Sequence, residues 1–516
     1  MAAESPAQVR RRRGWQRRLR RLRLSRWSLT RKTVQALSLL LFLGIFVAAA
    51  RGLPAWQVQA LMQIDPLLML ANLLASRTFQ AAALLGLVTL FLTLVFGRAW
   101  CGWLCPLGTL IDLVSPASRD PRPGEPSSPL RRFKTLSFLA VLGAALAGSL
   151  TLLVFDPLTI LLRFLTAAAW PLLDQLVSAL ELALYDLPGL ASPVASFDAW
   201  LRPAILPLQP VVYRQAFAAG LLLVGILALN WAAPRFWCRY LCPLGGLLAL
   251  VSRAAIVRRQ VSPECKGCGL CASACPTATI DPQRAYASDP AECTLCMDCL
   301  TACPRSRISF VPAPALAAPQ PYDPSRRQAL ASFGAALGAA ALLQTERSLP
   351  ARVPDRLRPP GVIENTLLSR CLHCGACIRA CPTGGLQFAA LEAGLEGLWT
   401  PLLVPRLGYC DYACNRCGQV CPVQAIPVLF LEEKRQQVIG KAVIDQSRCI
   451  AWAEGRDCIV CEEMCPLPEK AIRLEQQPAS PVLLPVVERT LCIGCGICEY
   501  KCPLSGAAAI RVYSAA

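Results

Sequence analysis

The stretch CKGCGLCASACP, residues 265–276, decides how the rest of the chain is read. Its cysteines follow C-x2-C-x2-C-x3-C-P, and the run recurs as CTLCMDCLTACP at 293–304. Three thiolates in one short loop wrap one [4Fe–4S] cubane, and the fourth reaches across to a second. Small residues such as Gly269 let the backbone approach the sulfurs, and the proline ends the loop. Zinc asks for two short pairs closing a tetrahedron, which these triplets do not offer. One cubane is therefore assigned Cys265, Cys268, Cys271 and Cys303, and its neighbour Cys293, Cys296, Cys299 and Cys275.

Toward the C-terminus the same chemistry is repeated. CLHCGACIRACP from Cys371 and CIGCGICEYKCP from Cys492 keep the regular spacing. CDYACNRCGQVCP from Cys410 has three residues in its first gap and CIAWAEGRDCIVCEEMCP from Cys449 has eight, insertions that can loop out without moving the thiols. This region supplies sixteen ligand candidates: Cys371, Cys374, Cys377, Cys381, Cys410, Cys414, Cys417, Cys421, Cys449, Cys458, Cys461, Cys465, Cys492, Cys495, Cys498 and Cys502. His373 is the only histidine; it reads as a loop residue beside a cluster, and a bis-histidine haem is excluded. No CxxCH is present, so c-type haem is excluded too. No GxGxxG follows a strand, so a built-in nicotinamide or flavin site is unsupported.

Toward the N-terminus the chain turns apolar. Thr33–Ala50, Phe79–Phe96, Thr135–Phe155 and Gln215–Trp231 each approach the length of a membrane-crossing helix. Basic residues crowd the N-terminus, the loop from Arg119 to Lys134 and the exit from Arg235 to Arg259, so both ends of a four-span unit are expected in the cytoplasm. The unit is duplicated. IDPLLMLANLLASRTF (64–79) and AWCGWLCPLGTLIDLVS (99–115) answer FDPLTILLRFLTAAAW (155–170) and FWCRYLCPLGGLLALVS (236–252). Two helices per half make the copies parallel repeats, with the CxxxCP motifs facing each other. Within each motif the cysteines share one helix face if the span continues through them. Cys101, Cys105, Cys238 and Cys242 can hold a further metal centre, act as redox thiols, or merely pack. Asp65 and Asp156 are quinol-site candidates, or Asp–Pro helix starts.

Eight, sixteen and these four cysteines account for all 28, leaving none for disulfides. The composition, 54% apolar and 16% charged, fits a membrane protein with soluble parts. The net charge of +19 suggests nucleic acid at first sight, but twelve basic residues precede Thr33 and read as a cytoplasmic membrane anchor. No nucleic-acid partner is expected.

The four-span unit with its duplicated CxxxCP and two following motifs resembles the NapH-type membrane subunit of quinol dehydrogenases, and more loosely NosR-like membrane proteins. From Ser325 onward, SRRQAL, RLRPPGVIENTLLSRCLHCGACIRACPTGGL and the CIAWAEGRDC insert resemble the NapG-type four-cluster ferredoxin subunit with its twin-arginine leader. The two modules are fused here, and the Cys410 motif lacks the wider third gap of the nitrate-reductase subunit, so nitrate is not implied.

The resemblance implies that the outer motifs exchange fourth ligands, Cys502 joining Cys371, Cys374 and Cys377, and Cys381 joining Cys492, Cys495 and Cys498. The inner motifs would likewise exchange Cys465 and Cys421. The expected fold class is an all-α polytopic membrane domain of parallel two-helix repeats plus small α+β ferredoxin-like [4Fe–4S] domains. The expected divisions are a basic segment at 1–32, the membrane domain at 33–259, a two-cluster domain at 260–310, a Pro-rich linker with the twin-arginine motif and a fifth span at 311–346, and a four-cluster domain at 347–516.

The expected function is a membrane-bound electron-transfer protein of quinol-dehydrogenase type, carrying six [4Fe–4S] clusters and serving the quinone pool and a redox partner protein. The expected place is the bacterial inner membrane, with the N-terminus and two-cluster domain cytoplasmic and the four-cluster domain periplasmic. The alternative is an assembly factor that reduces a metal ion or thiols for another metalloenzyme.

Overall fold

A computed structural model describes residues 26–49, 54–115, 129–187, 189–206, 211–312, 325–348, 356–477 and 481–514. Most of the basic N-terminal segment and the Pro-rich linker at 313–324 lie outside the described residues.

The helical part is built twice from one local grammar. Helix α1, Arg26–Ala49, leads into the first repeat. There α2, Ala55–Gln63, and α3, Pro66–Ser76, meet at 93°. The bend is made by Asp65, whose Oδ1 accepts from the Leu67 and Leu68 amides at 2.8 and 3.3 Å ahead of Pro66. After α4, Leu84–Phe96, and α5, Ala99–Trp103, the chain breaks again and Cys105 caps α6, Pro106–Val114.

Helix α7, Arg132–Leu146, links this to the second repeat. Asp156 caps α8, Pro157–Phe164, as Asp65 caps α3; a π-helical turn joins α8 to α9, Trp170–Tyr185, and α10 covers Ala191–Ala204. Helix α11, Ala216–Ala228, is followed by a π-helical turn at Trp237–Leu241, and Cys242 caps α12, Pro243–Ser252. Each cap precedes a proline, which cannot donate an amide and whose fixed φ suits the first helical position.

The helices differ from the four expected spans. Phe79–Phe96 is helical chiefly over the thirteen residues of α4 and Gln215–Trp231 over the thirteen of α11. Thr135–Phe155 divides after Leu146, where Gly148 takes a left-handed φ of 82° and reverses the chain. Conversely 157–185, read from sequence as an inter-span loop, is a 29-residue helix apolar enough to cross a membrane, as is α1. The α2–α3 pair would be a third if a bent span is counted. Two acidic residues of this helix are met by one arginine: Arg202 binds Asp174 and Glu181 at 3.3 and 3.1 Å.

Two small α+β units sit at opposite ends of the helices. In the first, strands Val257–Val261 and Ile308–Pro312 pair antiparallel around both cysteine motifs. In the second, Leu386–Phe388 pairs with Pro401–Leu403, Gly440–Ile444 with Ile510–Ser514, and Ile472–Gln476 with Leu483–Val487.

Helix α1 touches both units. Arg31 near its start pairs with Asp298 of the first at 3.2 Å. Phe46 near its end lies 4.6 Å under the Arg379 guanidinium of the second. Those fifteen helical residues separate the contacts by about 22 Å. Helix α13, Arg326–Ser348, lies along α7 in the same direction: Ser332 donates to the Leu136 carbonyl at 3.1 Å, and Phe333 and Ala336 cross Gly143 with no room for a side chain there. It extends beyond the apolar run Ala329–Leu343 at both ends.

Candidate metal centres

The four cysteine loops of regular spacing turn through a left-handed residue, Gly269, Met297, Gly375 or Gly496, just before the helix that carries the third cysteine. Gly375 at φ 81° shows why glycine serves there, because a Cβ would run into the Phe388 ring. Met297 adopts the same conformation at φ 63° in the second loop.

Twenty of the cysteines then converge in fours around five cavities. Cys275, Cys293, Cys296 and Cys299 line one, matching the sequence assignment. In the first unit's other set, Cys265 lies within electrostatic reach of Cys271, Cys303 packs beside Cys271, and Cys268 is exposed.

In the second α+β unit the grouping of the cysteines corrects the expected one. Cys371, Cys374 and Cys377 meet Cys421, not Cys502. Cys410, Cys414 and Cys417 meet Cys381, not Cys465. Cys449, Cys458 and Cys461 meet Cys502, not Cys421, and Cys492, Cys495 and Cys498 meet Cys465, not Cys381. Consecutive motifs exchange their fourth cysteines because the chain folds back between them. The hairpin Leu386–Phe388 with Pro401–Leu403 lays the second motif on the first, and strands Gly440–Ile444 and Ile510–Ser514 enclose the third and fourth. The two halves meet where the Cys410 amide donates to the Cys495 carbonyl at 2.8 Å. The four sets therefore follow in a row, beginning with the one that contains Cys371 and ending with the one that contains Cys449.

The donor sets fit iron–sulfur clusters. Burial, then crowding by Cys502, Cys458 and Cys449, pushes the Cys461 thiol up to about 12. Burial and the neighbouring Cys374 and Cys421 do the same to Cys371, despite an amide from His373. Among the described residues no three metal-binding side chains close on a point where a single ion would sit.

His373 is buried, its Nδ1 2.8 Å from the Leu398 carbonyl, and its amide donates to Cys371 Sγ at 3.4 Å. Burial and the nearby Arg163 lower its ring to about 3, so it is neutral.

The Cys371 set faces the helices. Gln63 donates to the Pro422 carbonyl and Asn72 to that of Arg370, each at 2.9 Å. Arg379 lies between Phe46 and Trp170 at 4.6 and 4.2 Å, and Arg163 stacks on Trp399 at 4.8 Å. Beneath them Asp65 and Asp156, fully buried, come side by side from the two repeats. Their Oδ1 atoms cap helices, and the two carboxyls face each other within hydrogen-bonding reach.

At the other end all four CxxxCP cysteines are buried and face each other as the repeat predicted. They do not share two helix faces, since each helix stops between its cysteines: Cys105 and Cys242, preceding proline, are extended at ψ 117° and 115°.

Sequence reasoning missed the charges that pin this region. Arg98 donates to the Cys238 carbonyl at 3.1 Å, and Arg235 donates to that of Cys101 at 3.2 Å. The signal was present as RAWC and RFWC, an arginine three residues before each motif. Buried Glu292 joins the first α+β unit to the helices through Arg98 at 3.1 Å, Arg131 at 3.3 Å and Lys134. Burial works against its ionisation, but the three cations hold the carboxyl below its ordinary range.

Sequence comparisons agree with this chemistry. Residues 78–123 and 215–263 match a 4Fe-4S binding domain family, 264–312 a 4Fe-4S dicluster domain, and 368–387 and 489–509 further 4Fe-4S binding domains. The methylamine utilization ferredoxin-type protein MauM of Paracoccus denitrificans is 37% identical over 202 residues, 36% of this chain and 87% of that relative. The ferredoxin-type protein NapG of Escherichia coli is 37% identical over 186 residues, 34% of this chain and 75% of that relative. The putative electron transport protein YccM of Escherichia coli is 28% identical over 257 residues, 48% of this chain and 60% of that relative. No solved structure shows significant similarity.

Proposed function

The chain belongs to the family of ferredoxin-type iron–sulfur proteins that includes MauM and NapG, and from that premise we propose a membrane-bound electron relay that oxidises a quinol and serves a redox partner protein. The observation that carries this reading is the row of cysteine sets beginning against the helices, at the Cys371 set, and running outward to the Cys449 set. A [4Fe–4S] cluster, when bound, accepts and returns one electron at a time. The polypeptide fixes the spacing: the first and second sets share motifs, as do the third and fourth, and the Cys410–Cys495 backbone bond joins the two pairs.

Six clusters would use the 24 cysteines of the two α+β units, two at Cys265–Cys303 and four at Cys371–Cys502. Asp65 and Asp156 stand beneath the first set of the row, a buried pair of facing carboxyls that can share a proton released from quinol. We read residues 33–259 as a NapH-like membrane domain and 347–516 as a NapG-like module. The segment 311–346 would be the join, its helix α13 continuing to Ser348; at 23 residues α13 covers about 34 Å, enough for a fifth crossing. The attachment of the α+β units at opposite ends of α1 supports placing the two-cluster unit in the cytoplasm and the four-cluster unit in the periplasm of a bacterial inner membrane.

Quinol added to anaerobic membranes containing the protein is expected to bleach the clusters' visible absorption. Failure with several quinols, while dithionite still bleaches them, would refute quinol oxidation. Alkaline phosphatase fused after Glu346 and at the C-terminus is expected to be active; inactivity at both points would refute the sidedness.

A further inference from the structure

The family match over residues 78–123 and 215–263 gives each repeat only two cysteines, too few for a cubane of its own. We propose that Cys101, Cys105, Cys238 and Cys242 together hold one additional iron–sulfur cluster, shared across the pseudo-two-fold axis of the repeats and placed between the two α+β units.

Four observations converge on this. All four thiols are buried, each within electrostatic reach of others in the group. The Gly108 amide donates to Cys105 Sγ at 3.4 Å and the Gly245 amide to Cys242 Sγ at 3.3 Å, the N–H···S contacts that stabilise cluster thiolates. Two buried arginines stand at the group, Arg98 beside Cys101, Cys238 and Cys242 and Arg235 beside Cys238, each also bound to a carboxylate, Glu292 and Asp112 respectively. Their reciprocal bonds to the Cys238 and Cys101 carbonyls fix one motif against the other. As elsewhere in the described chain, these thiols do not close on a single ion.

The location matches a station between units. On one side Trp103 donates to the Leu295 carbonyl at 2.9 Å, Gly102 lies against Thr294 with no space for a Cβ, and Arg235 reaches toward both Cys238 and Cys296. On the other side Cys105 lies within reach of Asp156, Asp156 of Arg163, and Arg163 of Cys374 and Cys371. A one-electron carrier here bridges the Cys293 set and the Cys371 set, oxidised by one electron as its neighbour is reduced by one, with no proton required.

This inference rests on the relay reading, and the experiment separates the two. The full chain, labelled with ⁵⁷Fe and purified anaerobically, is analysed by Mössbauer spectroscopy with iron and sulfide determination. About 28 irons per chain are expected, against about 24 if the thiols bind nothing. Cys105→Ala combined with Cys242→Ala is expected to remove about four irons and leave six clusters' worth. Because that variant can fail to accumulate, Cys242→Ser alone, which keeps an oxygen donor in place, is expected to shift the parameters of one cluster only. A wild-type count near 24, or unchanged spectra in both variants, overturns the proposal while leaving the relay standing. Absence of cubane iron altogether overturns both.

Discussion

Glu292→Gln is the substitution whose consequence follows most directly from the geometry. The carboxylate is 1% exposed and binds Arg98 at 3.1 Å, Arg131 at 3.3 Å and Lys134, so its charge balances cations contributed by the helices. Removing one partner of a buried ion pair costs about 3–5 kcal/mol, because the remaining charge keeps its desolvation and loses its counterion. Glutamine keeps one oxygen as acceptor, which argues for the lower end, about 3 kcal/mol.

The loss should fall on the docking of residues 257–312, and it is read by amide exchange of the detergent-solubilised holoprotein. A decrease of that size raises the open population, and with it exchange in strands Val257–Val261 and Ile308–Pro312, about 100-fold. Glu264→Gln is the control: its pair with Arg307, 2.5 Å long, is solvent-exposed, and its loss should cost less than about 1 kcal/mol. Equal exchange in Glu292→Gln and wild type would refute the claim that this cluster of charges holds the unit in place.

Ligand exchange between consecutive motifs is tested by paired substitutions: Cys371→Ser with Cys421→Ser strikes one set and should remove about four irons, whereas Cys371→Ser with Cys502→Ser strikes two and should remove about eight. Arg379→Ala removes the cation between Phe46 and Trp170, two contacts of about 0.5–2 kcal/mol each, and should lower the midpoint of thermal loss of cluster absorbance, with Arg379→Lys intermediate. The small apolar core of the first unit comprises Cys271, Ile280, Cys299 and Ile308, two of them cluster-ligand candidates. Stripping iron with a chelator under reducing conditions should therefore abolish exchange protection in its strands while α7 stays protected.

The cysteine spacing was legible because a cubane dictates ligand separation within one loop, and the repeat was legible because both copies use the same capping residues, Asp65 and Asp156 or Cys105 and Cys242. The exchange of fourth cysteines was not, since it depends on which motif the hairpin at 386–403 lays against which. Span lengths failed where apolar composition continued through a backbone break, as at Gly148, and where acidic residues inside an apolar helix are paired with Arg202. Arg98, Arg235 and Glu292 carried a partial signal. The arginines recur three residues before each CxxxCP, but the carboxylate beside Cys293 looks like any charged loop residue until its three cations are placed around it.

Electron paramagnetic resonance of the dithionite-reduced full chain tests the row of clusters most directly. Consecutive sets this close should give the broad, split signals of magnetically interacting [4Fe–4S] centres, integrating to several spins per chain. Sharp signals from isolated centres, or a spin-silent protein loaded with zinc, would contradict it.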